Sequence, residues 1–390
     1  MANAVYVISA VRTAVGLGKP GKGSLSNTRA DRVLAHVLSE VAARGNVDPA
    51  LVEDVVAGCV TAVGEQGFNI ARISALMAGF PVETCGTTMN RMCGSSQQSI
   101  HTAANAIAAG EMDVAIGAGV EIMSRTPMGF DANGPNPWFP PPEELIAKYE
   151  FVPQGISAEM IAEKWKLTRQ QLDQFSYDSQ QKAAKAQAEG AFKREIAGME
   201  VTLADGSKKV FDTDEGIRPS TTVEKLGTLN PAFKPDGVIH AGNSSQISDG
   251  AAAVLLASEA AVKKHGWKPR ARIVQTAVAG ADPTIMLTAP IPATKKVITK
   301  AGLKLSDIDL FEVNEAFACV PLAWARDVEA DLARTNVRGG AIAIGHPLGG
   351  SGARIFTTML HALEDQKKRY GLQTMCIGFG QATATIIERL

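Results

Sequence analysis

The residue with the clearest chemical potential in this chain is a cysteine, Cys93, in the run Asn-Arg-Met-Cys-Gly-Ser-Ser at 90–96. A helix rich in small residues is predicted directly after it, over about 95–109. The unpaired N–H groups and the positive dipole end of a helix N-terminus favour a thiolate, so we expect a lowered pKa at Cys93. A lone cysteine in such a place is more often a small buried residue that caps a core helix. The interpretation therefore depends on the residues that accompany it.

A histidine in a glycine-rich segment is the first of these companions. His346 is one of six histidines and lies within residues 339–352, where six of the fourteen positions are glycine. Glycine loses more backbone entropy on folding than any other residue, so this density favours a backbone that approaches a ligand closely. A histidine in a merely flexible loop fits poorly with the apolar run Ala-Ile-Ala-Ile at 341–344.

A second cysteine, Cys376, lies near the end of a predicted strand over 374–377 and is followed by Gly-Phe-Gly. Open α/β sheets bind their ligands beyond the carboxyl ends of the strands. The N–H groups after this strand, at Gly378 in particular, can form an oxyanion pocket because no bulky side chain blocks them. Taken alone, a cysteine in a core strand explains the same pattern.

Two polar segments complete the candidate chemistry. Asn314 and Glu315 follow a predicted strand over 309–313. Asn314 can orient a water or a thioester oxygen, whereas Glu315 can hold a histidine or cap a helix. The turn-rich segment 242–250 is predicted to be a polar loop with a helix N-cap at Asp249.

Alternating strands and helices are predicted to position these residues. Strands are predicted at 5–8, 54–58 and 114–119, and helices at about 28–44 and 95–109. Residues 126–156 contain seven prolines and are predicted to form a long irregular excursion. A charged helical region follows over 158–190, with Ser157 and Thr168 as N-caps. The alternation resumes near residue 271, which predicts a mostly parallel sheet with both faces covered.

The second half of the chain repeats features of the first. Residues 93–100 align with 348–355, and each segment leads into a helical pattern, while residues 115–119 align with 376–380 as strands that end in small residues. We therefore predict a duplicated α/β fold with an insertion. The predicted parts are an N-terminal half over 1–120, an inserted loop domain with the return to the first half over 121–250, and a C-terminal half over 251–390.

Composition and charge exclude several classes of protein. The 390 residues carry 39 basic and 40 acidic side chains, a balance that argues against a dedicated nucleic-acid or membrane-surface protein. No apolar run approaches a membrane span, and the N-terminus does not have the pattern of a signal peptide. Five widely spaced cysteines favour a reducing cytoplasm. Dinucleotide, P-loop and zinc motifs are missing from the sequence, so no metal or bound cofactor is expected.

Together these segments resemble the thiolase family over essentially the whole chain. The matching pieces, in the family's order, are Asn-Arg-Met-Cys-Gly-Ser at 90–95, Gly-Asn-Ser-Ser at 242–245, Asn-Glu-Ala-Phe at 314–317, the glycine-rich segment 339–352 and Cys-Ile-Gly at 376–378. The resemblance implies a five-layer α/β/α/β/α core with a loop domain inserted in the first half. It also implies a homodimer or homotetramer that acts on CoA and acyl-CoA.

The resemblance further implies a role for each candidate residue. Cys93 is expected to carry the acyl group as a thioester, His346 to accept its proton and Cys376 to serve as the acid and base at the α-carbon of acetyl-CoA. Asn314 is expected to hold a water that, with His346, stabilises the thioester oxygen. The N–H groups of Cys93 and Gly378 are expected to form a second oxyanion hole. Ser245 is expected to contact the pantetheine arm of CoA and Arg218 its phosphates.

The sequence departs from the usual family pattern at two places. Phe379 stands where a glycine is common, and its ring is expected either to narrow the acyl pocket or to point into the core. The segment 153–155 lacks a histidine that acetoacetyl-CoA-forming members often have there. This absence favours a degradative thiolase or one of broader acyl specificity, with a slight likeness to bacterial thiolases that shorten branched or sterol side chains.

Three functional hypotheses follow. The leading one is thiolytic cleavage of 3-ketoacyl-CoA to acyl-CoA and acetyl-CoA. A biosynthetic acetyl-CoA acetyltransferase, which condenses two acetyl-CoA molecules, is the alternative within the family. A non-catalytic relative that binds acyl-CoA or lipid is the third hypothesis, and the presence of Cys93, His346 and Cys376 argues against it.

Overall fold

The computed structural model describes residues 3–133 and 137–390. Its strands are β1 (Val5–Arg12), β2 (Gly16–Leu17), β3 (Asp54–Gly58), β4 (Cys85–Met89), β5 (Val114–Ile122), β6 (Met199–Thr202), β7 (Lys208–Phe211), β8 (Ser248–Ser258), β9 (Ala271–Gly280), β10 (Leu310–Val313), β11 (Tyr370–Ile377) and β12 (Gln381–Arg389). Its α-helices are α1 (Ala30–Gly45), α2 (Ile70–Met77), α3 (Ser95–Ala109), α4 (Glu143–Ile146), α5 (Gln154–Lys164), α6 (Arg169–Ala188), α7 (Val223–Gly227), α8 (Glu259–His265), α9 (Pro290–Ala301), α10 (Cys319–Val328) and α11 (Ser351–Asp365).

The main sheet is mixed and runs in the order β10-β11-β12-β9-β1-β8-β5-β3-β4, with β2 paired to β8. The prediction of a mostly parallel sheet is wrong, because antiparallel pairings outnumber parallel ones among the described strands. Only two residue pairs join β9 to β1, so the sheet consists of two blocks that meet at a short contact. In the first block β1 pairs antiparallel with β8, β8 antiparallel with β5, and β5 parallel with β3. In the second block β9, β12, β11 and β10 repeat the same sequence of antiparallel, antiparallel and parallel pairings.

The two blocks enclose a shared layer of helices, which confirms the predicted duplicated α/β fold. Buried side chains of α3 and α11 form one core with the inner face of the first block. Helix α1 covers the outer face of that block, and α9 and α10 cover the second block. The order of layers is therefore helix, sheet, helix, sheet, helix. Apolar side chains on both faces of each strand explain the near-continuous apolar runs of β5 and β8.

Strand β8 belongs to the first block, since it pairs with both β5 and β1. The predicted boundary between residues 250 and 251 falls inside this strand, and the division of the chain into three parts stays a prediction. Asp249 is the second residue of β8, so the predicted helix N-cap at this position is wrong.

The excursion over 126–156 contains only short helical turns within its described residues, and its Pro135 lies outside them. The N-cap predicted at Ser157 is wrong, because α5 begins at Gln154 after Pro153. The N-cap at Thr168 is confirmed. Its hydroxyl and the side chain of Gln171 form a reciprocal capping box at the start of α6. Among the helices of the described residues, none is long and apolar enough to cross a bilayer.

Candidate active site

Cys93 lies in the tight connection between β4 and α3, as the sequence predicts. Met92 adopts a left-handed conformation (φ 45°) and Gly94 forms the N-cap of α3. This backbone turns the Cys93 thiol away from the strand and into the interior, where the residue is 5% exposed.

The thiol is not activated in the way the helix N-terminus alone would suggest. Burial, with a smaller contribution from the nearby Cys376, raises the pKa of Cys93 to about 12. The N–H groups of Cys93 and Gly378 oppose this rise by facing the sulfur, but they do not outweigh it. The expected lowering of the Cys93 pKa is therefore wrong. Desolvation destabilises the thiolate by more than the N–H groups at the helix N-terminus stabilise it.

His346 is positioned by the beginning of α11. Its Nδ1 lies 2.6 Å from the hydroxyl of Ser351, and that hydroxyl donates to the Pro347 carbonyl at 2.8 Å. Because the hydroxyl proton is donated to this carbonyl, the Ser351 oxygen acts as the acceptor for Nδ1–H. In the neutral imidazole the proton is then on Nδ1, and Nε2 is unprotonated. Nε2 is buried and has no hydrogen-bond partner among the described residues. Burial lowers the pKa of His346 to about 3, so the imidazole is neutral at pH 7 and can accept a proton.

The N-terminal turns of α3 and α11 bring the Cys93 and His346 segments together. The N–H of Ala353 donates to the Ser96 hydroxyl at 2.9 Å. A side chain at Gly352 would lie 2.3 Å from the backbone nitrogen of Gln97, so only glycine permits this approach. Leu348 and Ile355 then pack in one apolar cluster with Cys93. Cys93 and His346 thus lie in the segments that lead into α3 and α11, two helices whose first turns are in contact.

Cys376 is the second buried thiol of the candidate site. It lies in β11, one residue before the strand ends, and the Asn314 side chain donates to its sulfur at 3.6 Å. Burial raises the pKa of Cys376 to about 11, against the opposing effect of that hydrogen bond. Met375 and Ile377, on either side of Cys376, pack in one apolar cluster with Cys93, which brings the two cysteine segments together.

Gly378 and Asn314 each direct a polar group at one of the two sulfurs. The N–H of Gly378 faces the Cys93 sulfur, and a side chain at this position would lie 2.8 Å from Met92 Sδ. The Asn314 Oδ1 atom is buried and has no partner among the described residues. Asn314 Oδ1 and His346 Nε2 are therefore two buried polar atoms of the candidate site that have no hydrogen-bond partner among the described residues.

Glu315 neither holds a histidine nor caps a helix, so both expectations for it are wrong. Its carboxylate accepts from the Ser179 hydroxyl at 2.7 Å, from Asn336 Nδ2 at 2.8 Å and from the Ile342 N–H at 3.1 Å. Burial raises its pKa. Glu315 therefore links the glycine-rich segment, at Ile342, to α6, at Ser179, and stabilises the loop that carries His346.

Ser245 and Arg218 lie on the rim of the site. The N–H of Ser245 donates to the Ala316 carbonyl at 2.9 Å, which places this residue next to the Asn314 segment, and its side chain is half-buried. Arg218 is exposed, and its guanidinium reaches the Gln246 side chain at 3.5 Å.

Gln246 and Ser351 are supporting residues that the sequence analysis did not single out. Gln246 accepts from the His346 N–H at 3.1 Å through its carbonyl and donates to the Ala343 carbonyl at 3.0 Å through its side chain. Both residues lie inside segments that the motifs already marked, but nothing local distinguishes them from neighbouring polar residues. Among the described residues, no three His, Cys, Asp or Glu side chains are grouped as metal ligands would be.

One of the two expectations for Phe379, that its ring points into the core, is wrong. It occupies the middle of the three-residue turn between β11 and β12 and has a left-handed backbone (φ 58°). Its ring is 37% exposed and lies 5.8 Å from the Trp138 ring and 5.7 Å from the Phe151 ring, measured between centroids.

A duplicated five-layer fold with two thiols and an imidazole at its centre defines a class of protein, and comparison with known sequences agrees with it. The thiolase N-terminal domain matches residues 5–260 and the thiolase C-terminal domain matches residues 267–389. The chain belongs to the thiolase family.

Individual relatives share the full length of this chain. A steroid 3-ketoacyl-CoA thiolase of Mycobacterium tuberculosis is 47% identical, and the similarity covers 99% of this chain and 94% of that protein. A 3-ketoacyl-CoA thiolase of Aeromonas salmonicida is 44% identical, covering 99% of each. Human mitochondrial 3-ketoacyl-CoA thiolase in complex with CoA superposes with a TM-score of 0.90 at 38% identity (100% and 98% covered). Bacillus anthracis acetyl-CoA acetyltransferase does so with a TM-score of 0.92 at 35% identity (100% and 99% covered).

Proposed function

We propose that this protein is a thiolase that cleaves 3-ketoacyl-CoA with free CoA, giving acetyl-CoA and a shortened acyl-CoA. The observation that carries this proposal is a pair of buried neutral thiols next to a neutral imidazole whose Nε2 is free. Full-length similarity to 3-ketoacyl-CoA thiolases supports the same reaction.

In the first step Cys93 attacks the 3-keto carbon. Because the Cys93 thiol is neutral, its proton passes to His346 Nε2 as the carbon–sulfur bond forms. Cleavage of the C2–C3 bond then leaves the acyl group on Cys93 and releases the electron pair as the enolate of acetyl-CoA. We propose that His346, now protonated, and a water on Asn314 hold the enolate oxygen, whereas the N–H groups of Cys93 and Gly378 hold the oxygen of the acyl thioester.

In the second step Cys376 donates its thiol proton to C2 of the enolate and acetyl-CoA leaves. Free CoA next attacks the acyl group on Cys93, transfers its thiol proton to the Cys376 thiolate and departs as acyl-CoA. The Cys93 sulfur, released as a thiolate, recovers its proton from His346. Every proton is returned, so two thiols and one imidazole complete the cycle without a redox change.

The decisive experiment is the substitution Cys93→Ala, with Cys85→Ala as its matched control. Cys85 is an exposed free thiol outside the site. We expect Cys93→Ala to lower kcat/KM for 3-ketoacyl-CoA thiolysis by at least about a thousandfold, since a covalent nucleophile is removed. Cys85→Ala should retain wild-type activity. Thiolysis that survives Cys93→Ala would refute the assignment.

Biosynthetic condensation of acetyl-CoA is the second candidate, and similarity to an acetyl-CoA acetyltransferase favours it. Relative kcat/KM values for acetoacetyl-CoA and longer 3-ketoacyl-CoAs separate the two. A protein that turns over only acetoacetyl-CoA would belong to the second class.

For the substrates, we propose that CoA and acyl-CoA are bound without a further cofactor. Ser245 would meet the pantetheine arm, and Arg218 would meet the phosphates because its exposed guanidinium lies on the rim. Five free thiols support a cytoplasmic location, where such groups stay reduced.

We also propose that the protein is a homodimer or homotetramer. Large apolar side chains are exposed on α2 and on the loops beside it, and β4 is an edge strand of the main sheet. Exposed apolar patches of this kind mark subunit interfaces. Sedimentation of Phe68→Asp, at a residue 97% exposed, tests this proposal against Val210→Asp, at a residue 64% exposed on β7. Phe68→Asp alone should dissociate the assembly; an assembly unaffected by it argues against this interface.

A further inference from the structure

Three aromatic side chains, Trp138, Phe151 and Phe379, form a cluster that we call the aromatic wall. Their ring centroids lie 5.7–6.2 Å apart, and the rings are inclined to one another by 51–73°. Two of the rings belong to the excursion over 126–156. The third belongs to the turn between β11 and β12. The wall therefore joins the loop region to the hairpin that carries Cys376.

The backbone of Phe379 is unfavourable for its own side chain. A φ of 58° lies in the left-handed region, which a bulky residue adopts only at a cost in energy. Burial of the ring in the core does not offset this energy, since 37% of the residue is exposed. Trp138 is likewise 37% exposed. Two large rings thus keep accessible apolar surface beside the site.

An open cavity of about 610 Å³ continues from the wall. Phe151 lines both, and Phe139, which also lines the cavity, packs 4.7 Å from the Trp138 ring. Ile146 and Tyr149, both substantially exposed, line it as well. The volume is within the range of small-molecule sites. The lining combines these apolar side chains with the charged residues Lys148 and Glu150, so the apolar contact is concentrated at the aromatic rings.

The wall stands next to the reacting groups. Gly378, the residue before Phe379, directs its N–H at the Cys93 sulfur. The Gln154 side chain approaches Gly378 from α5, at 3.4 Å from the position a side chain would take. An acyl group on Cys93 that extends past Gly378 in this direction meets the aromatic wall.

We propose that the aromatic wall determines acyl specificity and selects 3-ketoacyl-CoAs whose acyl part is a bulky apolar group, branched or ring-bearing. This inference rests on the proposed thiolase function. Three inclined rings beside an open cavity offer a broad surface to a wide hydrocarbon group, whereas the methyl group of acetoacetyl-CoA is too short to reach it. Phe379 is the central residue because it alone links the reacting hairpin to the other two rings.

The test compares kcat/KM for 3-oxo-5-cyclohexylpentanoyl-CoA with kcat/KM for acetoacetyl-CoA. We expect Phe379→Gly, which also relieves the left-handed backbone, to lower the ratio of the two values at least about tenfold. Phe151→Leu should lower the ratio in the same direction. Phe130→Leu is the matched control, because Phe130 is an exposed ring of the same excursion outside the wall.

A ratio that stays within about twofold of wild type in Phe379→Gly overturns the proposal, and so does an equal loss of both activities. If Phe379→Gly does not fold, judged by its melting temperature, Phe151→Leu decides by the same criterion. Wild-type protein that cleaves neither substrate would refute the thiolase function itself. That outcome is distinct from an active enzyme without the preference.

Discussion

Burial acts on the three reactive side chains in opposite directions. It raises the thiol pKa of Cys93 and Cys376 to about 12 and 11, and it lowers the imidazole pKa of His346 to about 3. All three groups are therefore neutral at pH 7, so none of them adds a desolvated charge to the resting site. In the proposed mechanism, the reaction therefore depends on moving a proton in the same step in which a sulfur attacks, rather than on a preformed thiolate.

The two thiols are predicted to have separable roles. In Cys376→Ser the hydroxyl is a far weaker acid and base than a thiol. Exchange of the acetyl-CoA methyl protons with D₂O should therefore fall by about a hundredfold or more, the scale of general acid–base catalysis. Formation of the acyl-Cys93 intermediate, followed by mass spectrometry, should change by less than about tenfold. An equal loss in both half-reactions would contradict this division of labour.

Ser351 is predicted to be a positioning residue for His346. Removal of its hydroxyl in Ser351→Ala frees Nδ1, so the tautomer with an unprotonated Nε2 is no longer favoured. A lost hydrogen bond of about 1 kcal/mol corresponds to a fall in kcat of roughly fivefold, with KM little changed.

Ser99→Ala is the control for Ser351→Ala. Ser99 is buried in α3 and donates to the carbonyl four residues before it, as Ser351 does in α11. It has no contact with a histidine in the structure described. An equal loss of kcat in both variants would show that Ser351 acts through helix stability alone.

Between elements, the close contact of α3 and α11 is the feature that assembles the site. These helices belong to different halves of the chain, yet their first turns touch at Ser96 and Ala353. The local sequence predicts that each helix begins near its reactive residue. The distance between the two beginnings depends on how closely the helix backbones approach.

Gly352→Ala is predicted to separate these two helices. The added methyl group would meet the Gln97 backbone at 2.3 Å, so it should lower the free energy of unfolding by about 1–3 kcal/mol, as overpacking does. It should also lower kcat, because Cys93 and His346 move apart. Gly227→Ala, at a position with open space around it, is the control for both denaturation and kinetics. A stable variant with full activity would show that the contact is not needed.

Across the whole molecule, polar contacts join the two halves as well as apolar ones. Helix α3 of the first half meets β12 of the second, where His101 Nε2 lies 2.7 Å from the Thr385 hydroxyl. His101 is 2% exposed, and burial lowers its pKa to about 3. The imidazole therefore stays neutral in the folded protein at pH values where the unfolded chain is protonated.

This histidine is predicted to make stability depend on pH. The unfolded chain gains a proton below pH 6.5, whereas the folded state gains it only near pH 3, so stability is lost as the pH falls between these values. At pH 4.5 the histidine should cost roughly 3 kcal/mol relative to pH 7.5. Denaturation of wild type and His101→Gln at both pH values measures this difference. Parallel pH profiles for the two proteins would contradict the prediction.

The amino-acid sequence by itself determined the features that depend on neighbours along the chain. The beginning of α3 after Cys93, the capping box at Thr168 and the repeat that predicts two α/β halves follow from local pattern. The family also followed, because the motifs around Cys93, His346 and Cys376 occur in order. The sequence could therefore predict which residues are candidates for the site, and their catalytic roles stay predictions.

Tertiary structure decided the properties that depend on contacts between distant segments. Burial by both halves reversed the expected pKa shift of Cys93, and Glu315 found its partners at Ser179 and Ile342 rather than at a histidine or a helix end. The ring of Phe379 met Trp138 and Phe151, which lie more than two hundred positions away. Local sequence cannot predict these outcomes, because desolvation and packing energies depend on which distant groups exclude water from a side chain.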